Sequence, residues 1–360
     1  MKRQALIVLI VVCTCASLVV DASSASAQTR SAAAMATAAN AFAASLTPEQ
    51  KTTAMLRFDE ADRFNWQESP GPRKGLALRD MTEPQRKLAM ELWRTGVGDT
   101  GFQTIQILRR REPVLSGMQQ TEQGRALRHP DLYYFSIYGT PSANGTWGWR
   151  VEGHHMSLNF TLAKGMISNA PLFLGAQPAD LAAAGLKGPA AEAASRIPAA
   201  ENRALAAEED RARELVQSLD AKQRAIAVFD RPEKRDADML TGIATRSVKQ
   251  LSPPGLAASQ MTPAQKKLLV NLVEVYLTRM PEDVAADRRS KLLTGQNLDA
   301  IAFSWAGGTE RGQAHNYIVQ SPLFLIEYAQ SRNNLTGHIH TIWRDLANDF
   351  GSGMVPAGTN

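Results

Sequence analysis

Met81-Thr-Glu-Pro-Gln-Arg-Lys-Leu88 returns as Met261-Thr-Pro-Ala-Gln-Lys-Lys-Leu268, with five of eight positions identical. Both copies begin a helix in the same way. The hydroxyl of Thr82 or Thr262 accepts from a free backbone amide in the first turn, and Gln85 or Gln265 reaches back to the threonine's own N–H. Proline within that turn costs nothing, because its missing N–H would be unpaired there anyway. Two more segments carry this chemistry upstream, Thr47-Pro-Glu-Gln50 and Asp220-Ala-Lys-Gln223. The starts are 35 residues apart in the first pair and 42 in the second.

The correspondence continues downstream at a constant offset of 168. Tyr134-Phe-Ser136 answers Ala302-Phe-Ser304, and Trp149 to Phe160 answers Tyr317 to Tyr328. Leu132 to Tyr138 and Trp147 to Glu152 are rich in aromatic and β-branched residues, and Gly139 to Gly145 separates them with turn formers. Ile301 to Trp305, the Ala306-Gly-Gly308 break and the returning segment His315 to Tyr328 repeat that order. Each half reads helix, helix, strand, turn, strand. The expected fold is therefore α+β and internally duplicated, an antiparallel sheet with helices packed on it. The first repeat spans residues 46–174 and the second 214–351. An Ala-rich connection covers 175–213, a mobile leader 28–45 and a loose tail 352–360, with the two repeats packing as one domain.

Residues 1–27 read as a secretory signal. Lys2 and Arg3 precede an apolar run from Ala5 to Val20, and Ala25-Ser-Ala27 supplies a small-x-small cleavage pattern. The only two cysteines, Cys13 and Cys15, fall inside that run. A processed chain would carry no thiol, which excludes disulfides, zinc–thiolate sites and cysteine nucleophiles. Roughly 330 residues then remain, enough for one large domain or two ordinary ones. No later run approaches the ~20 apolar residues of a bilayer span, so a periplasmic or secreted location is expected, without a membrane span. The net charge of +5 is modest. Arg109-Arg-Arg111 is the single dense basic run and reads as a solvated helix end, so no nucleic-acid partner is expected.

Chemistry concentrates at histidine. Five of the six histidines fall in three segments, Glu152-Gly-His-His155, His315-Asn-Tyr317 and His338-Ile-His340. His338 and His340 share one strand face, whereas His154 and His155 face apart if their segment is extended. Packing of the halves about a pseudo-dyad would bring His154 or His155 toward His315. Imidazoles beside a carboxylate suit Zn, Cu or Fe, with an open position in a catalytic site. The candidate ligands are His154, His315, His338 and His340. Glu152 and Asp345 are candidates for general base, and Trp149, His155, Tyr317 and Arg344 for binding. A metal-free polar site and purely structural histidines remain open beside this reading. Arg344 and Asp345 also read as an ion pair, with Asp349 capping a turn. No HExxH, GxSxG, GxxxxGK[ST] or strand-borne GxGxxG pattern occurs.

Glu152-Gly-His-His-Met-Ser-Leu-Asn-Phe-Thr161, Pro322 to Tyr328, and His338-Ile-His-Thr-Ile-Trp-Arg-Asp345 with Asn348-Asp-Phe-Gly351 resemble the motifs of the domain-of-unknown-function family 3500 (DUF3500). The likeness runs from about Leu46 to Gly351 and implies no assigned chemistry. The leading expectation is an exported histidine-site protein, a metal-dependent hydrolase or oxidoreductase acting on a small molecule or polymer fragment. The alternative is a non-catalytic binding module whose aromatic hairpins, with Trp147, Trp149, Trp305 and Trp343, hold a ligand.

Overall fold

A computed structural model describes residues 29–229, 245–246, 248, 250–331 and 337–355. The secretory-signal reading, including both cysteines, lies outside the described residues. All four helix starts form as expected. Thr47, Thr82, Asp220 and Thr262 cap α2 (Pro48–Ala54), α3 (Glu83–Gly96), α9 (Ala221–Ala227) and α10 (Pro263–Leu277) with the reciprocal glutamine bond in place.

The glutamines do more than cap. Gln50 and Gln85 exchange amide hydrogen bonds of 3.2 and 2.7 Å, and Gln223 and Gln265 exchange bonds of 2.9 and 2.8 Å. Gln85 also donates to the Ser45 carbonyl, and Gln265 to that of Ser218. Each amide pair thus locks two helix starts and a preceding helix end together, which leaves none of these buried donors unmatched.

Among the described residues one sheet of twelve strands runs through the molecule. The first half supplies β1 (Met55–Leu56), β2 (Leu76–Ala77), β3 (Tyr133–Tyr138), β4 (Trp147–Gly153), β5 (Met156–Ala163), β6 (Met166–Ser168) and β7 (Leu172–Ala176). The second supplies β8 (Leu256–Ala257), β9 (Ala302–Gly307), β10 (His315–Gln320), β11 (Phe324–Ser331) and β12 (His338–Asp345). The main path is β1-β3-β4-β5-β7-β12-β11-β10-β9-β8, with β2 paired to β3 and β6 to β5. All of these pairings are antiparallel except β1 with β3. The halves meet at the β7–β12 ladder, and each outer edge ends in a two-residue strand.

Strand alternation sorts the two faces. One face carries Phe135, Trp149, Phe160, Leu174, Trp343, Tyr328, Tyr317 and Trp305, and it is covered by helices. These include α1 (Thr29–Ser45) against α3, and α8 (Ala206–Ser218) against α10. The other face carries Phe173, Ala329 and Ile342 under Phe64, Trp66 and Phe350, which loops deliver. Phe173 lies 5.5 Å from Trp66, ring centre to ring centre.

Two expectations give way here. Residues 29–45 form no mobile leader: α1 buries Ala32, Met35, Ala36, Ala39 and Phe42 in the main core. Its spacing of small apolar residues is a helix face, and alanine-rich composition alone disguised it. Nor is Arg109-Arg-Arg111 a solvated helix end. At the end of α4 (Asp99–Arg109), Arg111 is 1% exposed and donates to the carbonyls of Ile107, Pro178, Glu201 and Asn202. Arg110 pairs with Glu201 and Arg109 with Asp131, so each arginine holds the helix end to another segment.

Candidate metal centre

The site forms where the two halves meet. Gly153 pairs with Met156, so His154 and His155 make a two-residue turn between β4 and β5. His155 sits at φ +59°, in the left-handed region, a strained setting for a non-glycine residue. The turn folds both rings to the same side, centroids 3.7 Å apart, instead of the opposite faces expected of an extended segment. The His155 N–H donates to the Glu68 carbonyl at 2.9 Å, and its own carbonyl accepts from Gly175 at 2.7 Å.

Strand β7 separates this turn from β12, and neighbouring strands lie ~4.8 Å apart. Gly175, paired with His340, is what lets the rings meet across it. A Cβ at Gly175 would stand 2.9 Å from His155 Cδ2 and 3.0 Å from His340 Cδ2. Nε2 of His155 lies 2.7 Å from Nε2 of His338, and the His155 and His340 ring centres are 5.4 Å apart. His155, His338 and His340 each offer a ligand nitrogen, all within 4.8 Å of one another. Phe173 closes the side at 5.0 Å from His340. His155 and His340 are buried, and His338 is partly exposed.

A second group adjoins the first through His155. Glu112, Nδ1/Nε2 of His154 and His155 also place ligand atoms within 4.8 Å of one another. Glu112 opens α5 (Glu112–Met118), and its Oε1 is 2.6 Å from His154 Nδ1. Burial pushes the Glu112 carboxyl up to about 8, partly offset by Arg128 and Arg73. Burial likewise holds His154 well below the usual imidazole range, with Arg128, His338 and Arg73 adding to it. Both effects favour uncharged partners, so the contact is a neutral hydrogen bond rather than an ion pair. His155 is also held far down, by burial and then by His154, His338, His340 and Arg128. Neutral imidazole is the form that binds metals.

His315 is absent from both groups. It pairs with Gln330, which pairs with Ile339, so alternation puts it on the helix-covered face while His340 faces the other way. There it stacks between Trp305 at 4.5 Å and Tyr328 at 5.3 Å, and burial pushes it down to about 4. Asp345 fails for the same reason. Five residues after His340 it lies on the helix side, salt-bridged to Arg288 at 2.6 Å while its Oδ1 caps Ala347 and Asn348. Arg344 pairs with Asp349, not Asp345, at 2.6 Å. Glu152 does share the histidine face, but Gln67 N–H, Ser157, Arg73 and Arg150 engage it beside a cleft of about 300 Å³. Trp149 and Tyr317 are 1% and 0% exposed, the first stacked on Phe160 at 4.1 Å. Trp147, Trp305 and Trp343 are equally buried, so these aromatic side chains belong to the core.

A family model described as a protein of unknown function, DUF3500, matches residues 28–352. The chain belongs to the DUF3500 family. No curated protein and no solved structure matches it. Three participants in this DUF3500 site, Glu112, Arg128 and Gly175, were invisible to motif reading. Each is an isolated residue, Gly175 placed by the sheet order, and Glu112 and Arg128 by the helical segment that packs beside the turn.

Proposed function

We propose that the chain is a metal-dependent enzyme with its centre at His155, His338 and His340, binding Zn, Cu or Fe. The carrying observation is the convergence of these three imidazoles across the glycine of β7. Three histidine ligands leave a fourth position for water or substrate, the arrangement that generates a nucleophile or polarises an oxygen at neutral pH. We read the reaction as hydrolysis or oxidation of a small molecule or polymer fragment. The polar amino terminus followed by an apolar run supports a periplasmic or secreted setting.

The two halves are further inferred to be copies of one unit. Shared pairing at an offset of 168 supports this. Trp149 pairs with Ile137 and Phe160, and Tyr317 with Trp305 and Tyr328. The matched glutamine pairs support it independently.

Metal content of untagged protein, measured beside a His338→Ala/His340→Ala variant, tests the centre. The variant should hold at least one ion fewer per chain. Equal content in both would overturn ligation by that pair.

A further inference from the structure

We infer that the site holds two metal ions, with the His155 imidazole shared between them. The inference rests on the three-histidine reading above and extends it to the Glu112–His154 side. An imidazole carries two nitrogens on different edges of its ring. Nε2 of His155 is committed to the His338 side at 2.7 Å. The proposal gives Nδ1 to the second group, whose other members are Glu112 and His154.

Three observations converge on that second seat. Glu112 and His154 are buried at 3% and 7% exposure, and Oε2 of Glu112 has no hydrogen-bond donor among the described residues. A buried carboxyl oxygen without a hydrogen-bond partner is costly, and a cation that takes the place of the acid's proton would engage it. The seat also already attracts positive charge: Nη1 of Arg128 contacts both ring nitrogens of His154. Arg128 is only partly buried, so its side chain has a path outward when an ion enters. Finally, the spacing suits coordination. Two ligands on one ion with ~2.0–2.1 Å bonds lie roughly 3.3 Å apart at tetrahedral angles. The 2.6 Å Glu112–His154 and 2.7 Å His155–His338 contacts therefore need to open by only about 0.7 and 0.6 Å. On entry of the second ion the Glu112 carboxyl and the His155 ring would each give up a proton to water, leaving a carboxylate ligand and a bridging imidazolate.

Dialysis of the full chain against Zn(II), followed by metal analysis, should return two ions per chain. Glu112→Gln and His154→Gln should each return one, with unchanged far-ultraviolet circular dichroism. Arg128→Gln should bind the second ion at least tenfold more tightly, since a competing charge is gone. With Cu(II), the second equivalent should weaken the electron paramagnetic resonance signal of the first through the shared ring. One ion in the wild type, lost in His338→Ala/His340→Ala, would overturn the pair while leaving the three-histidine centre intact. Two full-intensity copper signals would overturn the bridge, and no bound metal at all would overturn both readings.

Discussion

Gly175 decides whether three histidines from two halves of the chain become one site. Replacing it with alanine places a methyl 2.9–3.0 Å from two imidazole carbons and from the Ile339 carbonyl. The backbone can yield only by splaying β7 from its neighbours, an overpacking cost of about 1–3 kcal/mol. Gly175→Ala should therefore lose metal by dialysis and metal analysis while keeping a cooperative thermal transition. Retention of full metal content would show that the rings reach each other by another route. His338 and His340 were legible as a pair because a period of two needs no tertiary information. His155 was legible only as a binding candidate beside the ligands. Its role depends on a left-handed turn that a His-His dipeptide does not announce. His315 misled because clustering in sequence says nothing about which sheet face a residue takes.

At the level of elements, capping chemistry was the most readable signal, since a side chain and the amide three residues on are local partners. The hairpins were nearly as plain, with observed β3 and β4 within a residue or so of the aromatic runs that mark them. Helix α1 was not, because Thr29–Ser45 is mostly alanine and serine and only two larger apolar residues, Met35 and Phe42, mark its buried side. Phe42 lies 5.9 Å from Phe135, ring centre to ring centre, and ties this helix to the sheet. Phe42→Ala should cost about 3–5 kcal/mol in urea unfolding, the usual range for emptying a buried aromatic site. A loss under 1 kcal/mol would mean that α1 contributes little to the core it covers.

Across the whole molecule, the β7–β12 ladder joins two halves into one sheet, and the histidine cluster straddles that seam. Five backbone pairings, from Ile339 with Ala176 to Trp343 with Leu172, join the halves directly. The core beneath them is continuous from α1 to β12. Unfolding should accordingly follow a single transition, with tryptophan fluorescence and circular dichroism giving the same midpoint. Two separated transitions would mean that each half stands alone and the seam is weak. The sheet's margins carry a different consequence. An open row of backbone donors and acceptors invites another chain to dock and extend it. Among the described residues the last rungs are Met55–Leu56 and Leu76–Ala77 at one margin and Leu256–Ala257 at the other, each offering a template two residues long. Such stubs give a passing strand almost nothing to zip onto, so a ten-strand path can stop growing at its own boundaries.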